Sequence, residues 1–430
     1  MPEIQSIQPS AIPSWVMMDQ HFRYKDPGSF RADAETSAET QDTNGDPVRV
    51  SFDLQSPPGS SRLCLHCPEE REPSGWDIVV AAHRDAVLFR IEVDFDGLPV
   101  NRSHAVDYFI YRASSSSAPK LTLLPRCYST SAEISEAVAE DAASWRGKWR
   151  LVNNNAIGLL AAEEGFLVAE LLIETWSADD KTAPLEAELF RLFSSSSPAS
   201  ANGGGQWELT LATSRDSKVT FQDVVGWETH RVVPFAGYLC WADYSRGVLF
   251  CDVLHKAPAL RYLRLPVDGM PPEDFPKFSR TVCVTNNGET MKFVKVVNNS
   301  SNMCPACKHR SGFTISVWTL MVVNDSDMEW VEDVMITDNE LWAMAGYDHD
   351  HLPRSVPQFP LVSMDDPNIL YFVVSGRPAP SPCIVTLDMK SRTVLRYDGI
   401  EVLPFDSNII SGFGFFPSSL SNYLTKHSSS

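Results

Sequence analysis

The chain is short of positive charge. Its 430 residues carry 36 Lys and Arg against 55 Asp and Glu, a formal net charge of −19. Nucleic-acid affinity rests on cations that displace condensed counterions, and anionic lipid surfaces attract the same kind of protein face. The composition therefore disfavours nucleic acid and membrane as partners. Also missing is a long uncharged apolar run. The most apolar stretch, residues 156–173, carries Glu163, Glu164 and Glu170, and three carboxylates in hydrocarbon are too costly for a membrane span. The opening Met1-Pro2-Glu3-Ile4-Gln5 has neither the basic start nor the apolar core of a secretory signal. Nine cysteines, an odd number spread over a long chain, do not make a disulfide framework. They read as buried thiols in a reducing compartment, the cytoplasm or nucleus. Asn-x-Ser triplets at Asn101, Asn298, Asn299 and Asn324 then count as chance matches.

Familiar catalytic signatures are absent too. There is no Gly-x-Ser-x-Gly elbow and no His-Glu-x-x-His helix. Gly203-Gly204-Gly205 lacks the Lys-Ser/Thr that completes a phosphate loop, and Asp325-Ser326-Asp327 and Asp365-Asp366 lack calcium-loop spacing. No cofactor is expected.

What is present is an ordinary globular composition, 43% hydrophobic and 21% charged. Short apolar runs with period-two alternation dominate from about Val48 onward, as in Val48-Arg49-Val50-Ser51-Phe52-Asp53-Leu54. Gly, Asn, Ser, Asp or Pro punctuates nearly every gap, which is turn chemistry. One helix interrupts the strands: Thr130-x-x-Glu133 has capping-box form, with Ile134, Val138, Ala142 and Trp145 on one face. The reading is all-β. A long all-β chain must hide its sheet edges, and radial repetition does so. Aromatics that open short strands recur at Trp149, Trp207, Tyr262, Trp330 and Tyr397, with separations by subtraction of 58, 55, 68 and 67 residues. The spacing leads to a β-propeller-like body of about five or six blades with one inserted short helix, over residues 46–415. Residues 1–45 are expected to be a partly ordered segment whose Trp15 region pairs with the sheet, and residues 416–430 a flexible tail. Trp149, Trp207, Trp241, Trp318 and Trp330 are placed inside or between sheets.

Several segments, in order, carry a family resemblance. They are Pro13-Ser14-Trp15-Val16-Met17-Met18-Asp19, then Gly165-Phe166-Leu167-Val168-Ala169-Glu170-Leu171, then Gly237-Tyr238-Leu239-Cys240-Trp241-Ala242-Asp243-Tyr244. Gly247-Val248-Leu249-Phe250-Cys251-Asp252 and Leu260-Arg261-Tyr262-Leu263-Arg264-Leu265-Pro266 follow. Together they resemble the plant family called domain of unknown function 1618, expanded in grasses, from Trp15 to about Val402. The resemblance implies a plant intracellular protein and a distant likeness to the propeller-like domains that follow F-boxes. It carries over no catalytic residue, and residues 1–30 hold no F-box helix pattern.

Two clusters are the candidates for metal. In Cys304-Pro305-Ala306-Cys307-Lys308-His309, the thiols of Cys304 and Cys307 have the spacing of zinc ligands and His309 adds a third donor. The other Cys-x-x-Cys pair, Cys64 and Cys67, is too distant in sequence for an ordinary structural site. On a strand it sends its two side chains to opposite faces. The second cluster, Tyr347-Asp348-His349-Asp350-His351, puts His349 and His351 with two carboxylates in one loop. The competing reading is plain in both cases: loop thiols in the first, a solvated turn in the second. The leading expectation is a non-enzymatic protein-interaction scaffold with a protein partner. The alternative is a metal-assisted enzyme or small-ligand binder using a central channel or the His/Cys loops.

Overall fold

A computed structural model describes residues 13–67, 74–75, 77–93, 105–125, 155–163, 165–173, 185–195, 205–214, 219, 221–267, 276–298, 312–322, 327–379, 381–400 and 414–424. The helix expected from residue 130 lies outside them. The described residues are nearly all β, with twenty-six strands and three α-helices of four to six residues.

Strands β1 (Val16–Asp19), β2 (Arg23–Lys25), β3 (Ala38–Gln41), β4 (Pro47–Asp53) and β5 (Ser60–His66) form the first sheet together with the last strand, β26 (Phe415–Ser418). β1 pairs antiparallel with β26, Val16 opposite Ser418, and parallel with β5. Residues from the two ends of the chain thus share one sheet.

Antiparallel meanders follow. The first contains β6 (Ile78–His83), β7 (Ala86–Val93), β8 (Ala105–Arg112) and β9 (Lys120–Leu123). Next come β10 (Ile157–Ala162), β11 (Gly165–Leu172), β12 (Glu186–Ser195) and β13 (Trp207–Ser214), then β14 (Arg231–Phe235), β15 (Tyr238–Asp243), β16 (Gly247–Cys251) and β17 (Ala259–Arg264). These two meanders join into one eight-stranded sheet by a short parallel contact, Thr213 opposite Ala259 and Ser214 opposite Leu260. The remaining sheets are β18 (Arg280–Thr285), β19 (Thr290–Asn298), β20 (Phe313–Val322) and β21 (Met328–Thr337), then β22 (Gln358–Val362), β23 (Ile369–Val374), β24 (Cys383–Asp388) and β25 (Thr393–Gly399). The helices are α1 (Phe221–Val224), α2 (Pro276–Ser279) and α3 (Asp338–Ala343).

The first strand of each meander touches the first strand of the next: β6 on β10, β10 on β14, β14 on β18, β18 on β22, with β26 on β6. Trp15 and Met17 share a core cluster with Leu361, Tyr371 and Phe415, so the last meander also packs on the first sheet. The units therefore succeed one another in ring order.

The period-two geometry of a strand explains how each unit is held. A sheet packed on both faces needs apolar residues at odd and even positions alike, whereas a sheet wet on one face needs them on one side only. On β7, Val87, Phe89 and Ile91 enter the cluster shared with the first sheet, while Ala86 and Leu88 enter the one shared with β10–β13. On β15, Leu239 and Trp241 face β10–β13, and Cys240 and Ala242 face β18–β21. Each Val, Leu, Ile or Phe among them contributes about 1.5–3 kcal/mol on burial. Strand β10 approaches β14 so closely that a Cβ on Gly158 would sit 2.5 Å from Val232 Cγ1. Glycine at that position is what lets the two first strands meet.

Trp207, Tyr262, Trp330 and Tyr397 each fall in the fourth strand of a successive meander, β13, β17, β21 and β25. Trp207 and Trp241 are buried, and Trp318 and Trp330 pack half-buried against the cluster between β14–β17 and β18–β21. Trp149 lies outside the described residues. Past residue 415, β26 continues the first sheet and Leu420 and Leu424 are buried in its core. Among the described residues no helix is long and apolar enough to cross a membrane.

Candidate functional site

Where the first strands meet they enclose a cavity of about 330 Å³, with lining residues from β6, β10, β14, β18, β22 and β26. Its charge is one-sided. Arg231 opens β14, Arg280 opens β18 and Lys277 sits on α2, and among the described residues that line the cavity there is no carboxylate. In a chain of net charge −19, three cations gathered without a lining anion are a local inversion of the surface field.

Each cation is fixed by a neighbour. Arg280 is 5% exposed and its Nη1 donates to the Tyr244 carbonyl at 2.6 Å. Arg231 donates to the Phe415 carbonyl and lies over the Phe416 ring, 4.8 Å from its centroid. Lys277 Nζ donates to Asn155 Oδ1 at 2.9 Å. Burial lowers the Lys277 ammonium below the usual lysine range, exposed Glu228 opposes that, and Arg231 adds to it. Like charges are thus held near one another, Arg280 buried and Lys277 at the solvent-exposed side of the cavity.

His230 reports the same field. Its ring stacks on Tyr244 at 5.1 Å, and its Nδ1 accepts the Tyr244 N–H at 3.2 Å. Burial pushes its pKa down to about 4, with Lys277 and then Arg280 lowering it further against a backbone hydrogen bond at Glu228. The Asp243 carboxylate is only 3.8 Å from Nδ1, but that nitrogen is already an acceptor and the ring stays neutral. Asp243 instead takes the N–H groups of Glu228 and Ser245, and burial raises its carboxyl above the usual range.

A second, larger chamber of about 900 Å³ is lined by the far ends of several of these strands. It shares Arg231, Val232 and Phe416 with the first. Leu159, Val233, Phe235, Val282 and Met364 contribute to its apolar wall. His83 lines it too; its Nδ1 accepts the Ala161 N–H at 2.9 Å, and burial pushes its pKa down to about 4.

The residues singled out from sequence lie elsewhere. Cys304, Cys307 and His309 fall outside the described residues. His349 and His351 occupy an exposed turn after α3. His351 Nδ1 is 2.8 Å from Asp348 Oδ2, and Tyr397 donates to the same oxygen at 2.7 Å. These bonds, Tyr397 first, hold the Asp348 carboxyl down at about 2. His349 faces Arg354 at 3.4 Å. Among the described residues no group of three or more His, Cys, Asp or Glu side chains is placed to hold a metal ion. Cys64 is buried on β5 and Cys67 follows the strand, and neither is in a disulfide. Burial pushes the Cys283 thiol up to about 11 and that of Cys251 to about 12.

Sequence reasoning missed Arg231, Lys277 and Arg280. The available signal was a cation at the first position of an otherwise apolar strand, as in Arg231-Val232-Val233 and Arg280-Thr281-Val282.

Residues 241–371 match the family model described as "Protein of unknown function (DUF1618)". That stretch includes Lys277 and Arg280. Among solved structures, one described as a functionally unknown protein from Desulfotomaculum acetoxidans DSM 771 is similar at a TM-score of 0.32. It shares 9% identity, over 86% of this chain and 82% of that one. No curated protein matches the chain.

Proposed function

From a chain that carries a domain of the DUF1618 family across residues 241–371, we propose a small-ligand binder in which six β units, the blades of a propeller, surround a cavity for an organic anion. One observation carries this reading: Arg231, Lys277 and Arg280 converge on a cavity that no described carboxylate lines. A bound carboxylate, sulfonate or phosphate group would relieve the repulsion among these cations and accept charge-assisted hydrogen bonds from them. The cavity volume suits a small molecule.

Calorimetry with benzoate and its neutral isostere benzamide tests it. The chain binds benzoate in preference to benzamide, and Lys277→Gln weakens benzoate about tenfold to a hundredfold. That range is the worth of one hydrogen bond to a charged group, about 1.5–3 kcal/mol. Equal binding of the two probes, or a Lys277→Gln variant that binds benzoate like the parent, sinks the proposal.

A protein-interaction scaffold is the second reading. Its support is a set of exposed apolar side chains on outer strands, Leu209 and Leu211 on β13, Val331 and Met335 on β21 and Leu395 on β25. A near-stoichiometric partner that survives a moderate salt wash in affinity capture, and is lost on Leu211→Asp, supports this surface. Capture unaffected by the substitution removes it. Cys64, Cys240, Cys251, Cys283 and Cys383 are buried as small apolar side chains, in keeping with a proposed place in the cytoplasm or nucleus.

A further inference from the structure

The proposed anion site has an unequal neighbour. The cationic cavity of about 330 Å³ and the chamber of about 900 Å³ meet at Arg231, Val232 and Phe416. On one side of this waist stand Lys277 and Arg280, and on the other Leu159, Val233, Phe235, Val282 and Met364 form an apolar stretch of a wall that also includes Arg84, Ser418 and Asn422. The larger chamber does contain polar groups. His83 is neutral at pH 7, because burial holds its pKa near 4, and Glu163 is exposed. An apolar wall beside a fixed positive charge is complementary to an anionic head on an apolar chain.

We infer that the ligand is an amphipathic monoanion of the fatty-acid type, its carboxylate held at Arg231 and its hydrocarbon chain lying in the larger chamber. The inference rests on the anion-binding reading above and names its ligand class. Arg231 suits the role by position. It belongs to both spaces, and a guanidinium has five N–H donors, of which the Phe415 carbonyl engages Nη2. Its stacking on Phe416 holds the charge at the waist, where a head group must lie if its chain is to reach the apolar wall. The chamber falls within the range of about 300–1,000 Å³ usual for ligand pockets.

The test is a chain-length series on the full chain, acetate, butyrate, octanoate, decanoate and dodecanoate, below their micellar concentrations. Dodecyltrimethylammonium serves as the control for head charge. Each added methylene that enters the chamber is expected to tighten binding by about three- to fourfold, and dodecanoate binds at least about tenfold tighter than the dodecyl cation. Val284→Trp, which places bulk at a half-buried position on the chamber wall, lowers dodecanoate affinity more than about tenfold and leaves acetate and butyrate unchanged. If short carboxylates bind but affinity is flat along the series, the amphipathic assignment falls and the anion site stands. If neither short nor long carboxylates bind, both fall. Equal binding of dodecanoate and the dodecyl cation would show a purely apolar pocket and also overturn the assignment.

Discussion

Trp241→Ala is expected to destabilise the protein by about 3–5 kcal/mol, the usual cost of removing a large buried aromatic. Trp241 is 0% exposed in the cluster between β10–β13 and β14–β17, where Leu239, Leu249 and Leu260 surround the same interface. Its indole Nε1 donates to the Ala156 carbonyl at 2.6 Å, just before β10 begins. The substitution therefore opens a void between two units and leaves a buried carbonyl without its donor, two separate penalties. Leu395→Ala is the control, since that side chain is 54% exposed on β25 and surface changes of this kind stay within about 0.5 kcal/mol. Urea unfolding of both variants reads the difference. A Trp241→Ala midpoint no lower than that of Leu395→Ala would mean that this interface does not hold the two units together.

Stability is also expected to fall steeply as pH drops from about 6.5 to 4. His83 and His230 have pKa values near 4 in the folded chain, against an ordinary histidine value of 6.5. For His83 the causes are burial and then Arg84; for His230, burial and then Lys277. A depressed histidine pKa means that the unfolded chain binds the proton more tightly. The stabilisation is complete above pH 6.5 and is lost as pH falls toward 4, by about 3 kcal/mol for each histidine. The geometry gives the same sign, because each Nδ1 is an acceptor for a backbone N–H, from Ala161 and from Tyr244. Protonation there turns a hydrogen bond into a clash of donors. The carboxylates act in a different window. Asp348 and Asp388 are held below their ordinary values by hydrogen bonds, so their contribution is lost only as pH falls through and below the normal carboxyl range. Urea midpoints at pH 7.5, 5.5 and 4.5 separate the two windows. The double variant His83→Gln with His230→Gln should lose the slope between pH 6.5 and 4. A slope equal to the parent's would assign the acid sensitivity to other groups.

Much of the strand pattern was open to inspection before any coordinates. The run Val48-Arg49-Val50-Ser51-Phe52-Asp53 is strand β4, with Val48, Val50 and Phe52 buried. The aromatics at 207, 262, 330 and 397 mark the outer strands of four consecutive units, because each meander repeats the same sequence of core and rim. The half-buried character of Trp318 and Trp330 was not legible, since an aromatic at the edge of a cluster has the same local pattern as one at its centre.

The chemistry was less visible. The loop from Tyr347 to His351 attracts notice because its ionisable residues are neighbours in sequence. In the fold its carboxylate is occupied as Asp348 accepts from Tyr397 and meets His351. Arg231, Lys277 and Arg280 attract none, since their partners Phe415, Asn155 and Tyr244 stand 184, 122 and 36 residues away.

The sequence by itself determined the all-β class, the short apolar strands and the recurrence of aromatics along the chain. These depend on the period-two geometry of a strand and on turn chemistry, both written within a few residues. Only the tertiary structure decided where charge gathers. Ring-order packing of first strands brings residues 231, 277 and 280 to one cavity and sets an apolar chamber against it. Electrostatic interaction follows distance in space, and distance in space at the centre of a ring is set by every unit around it.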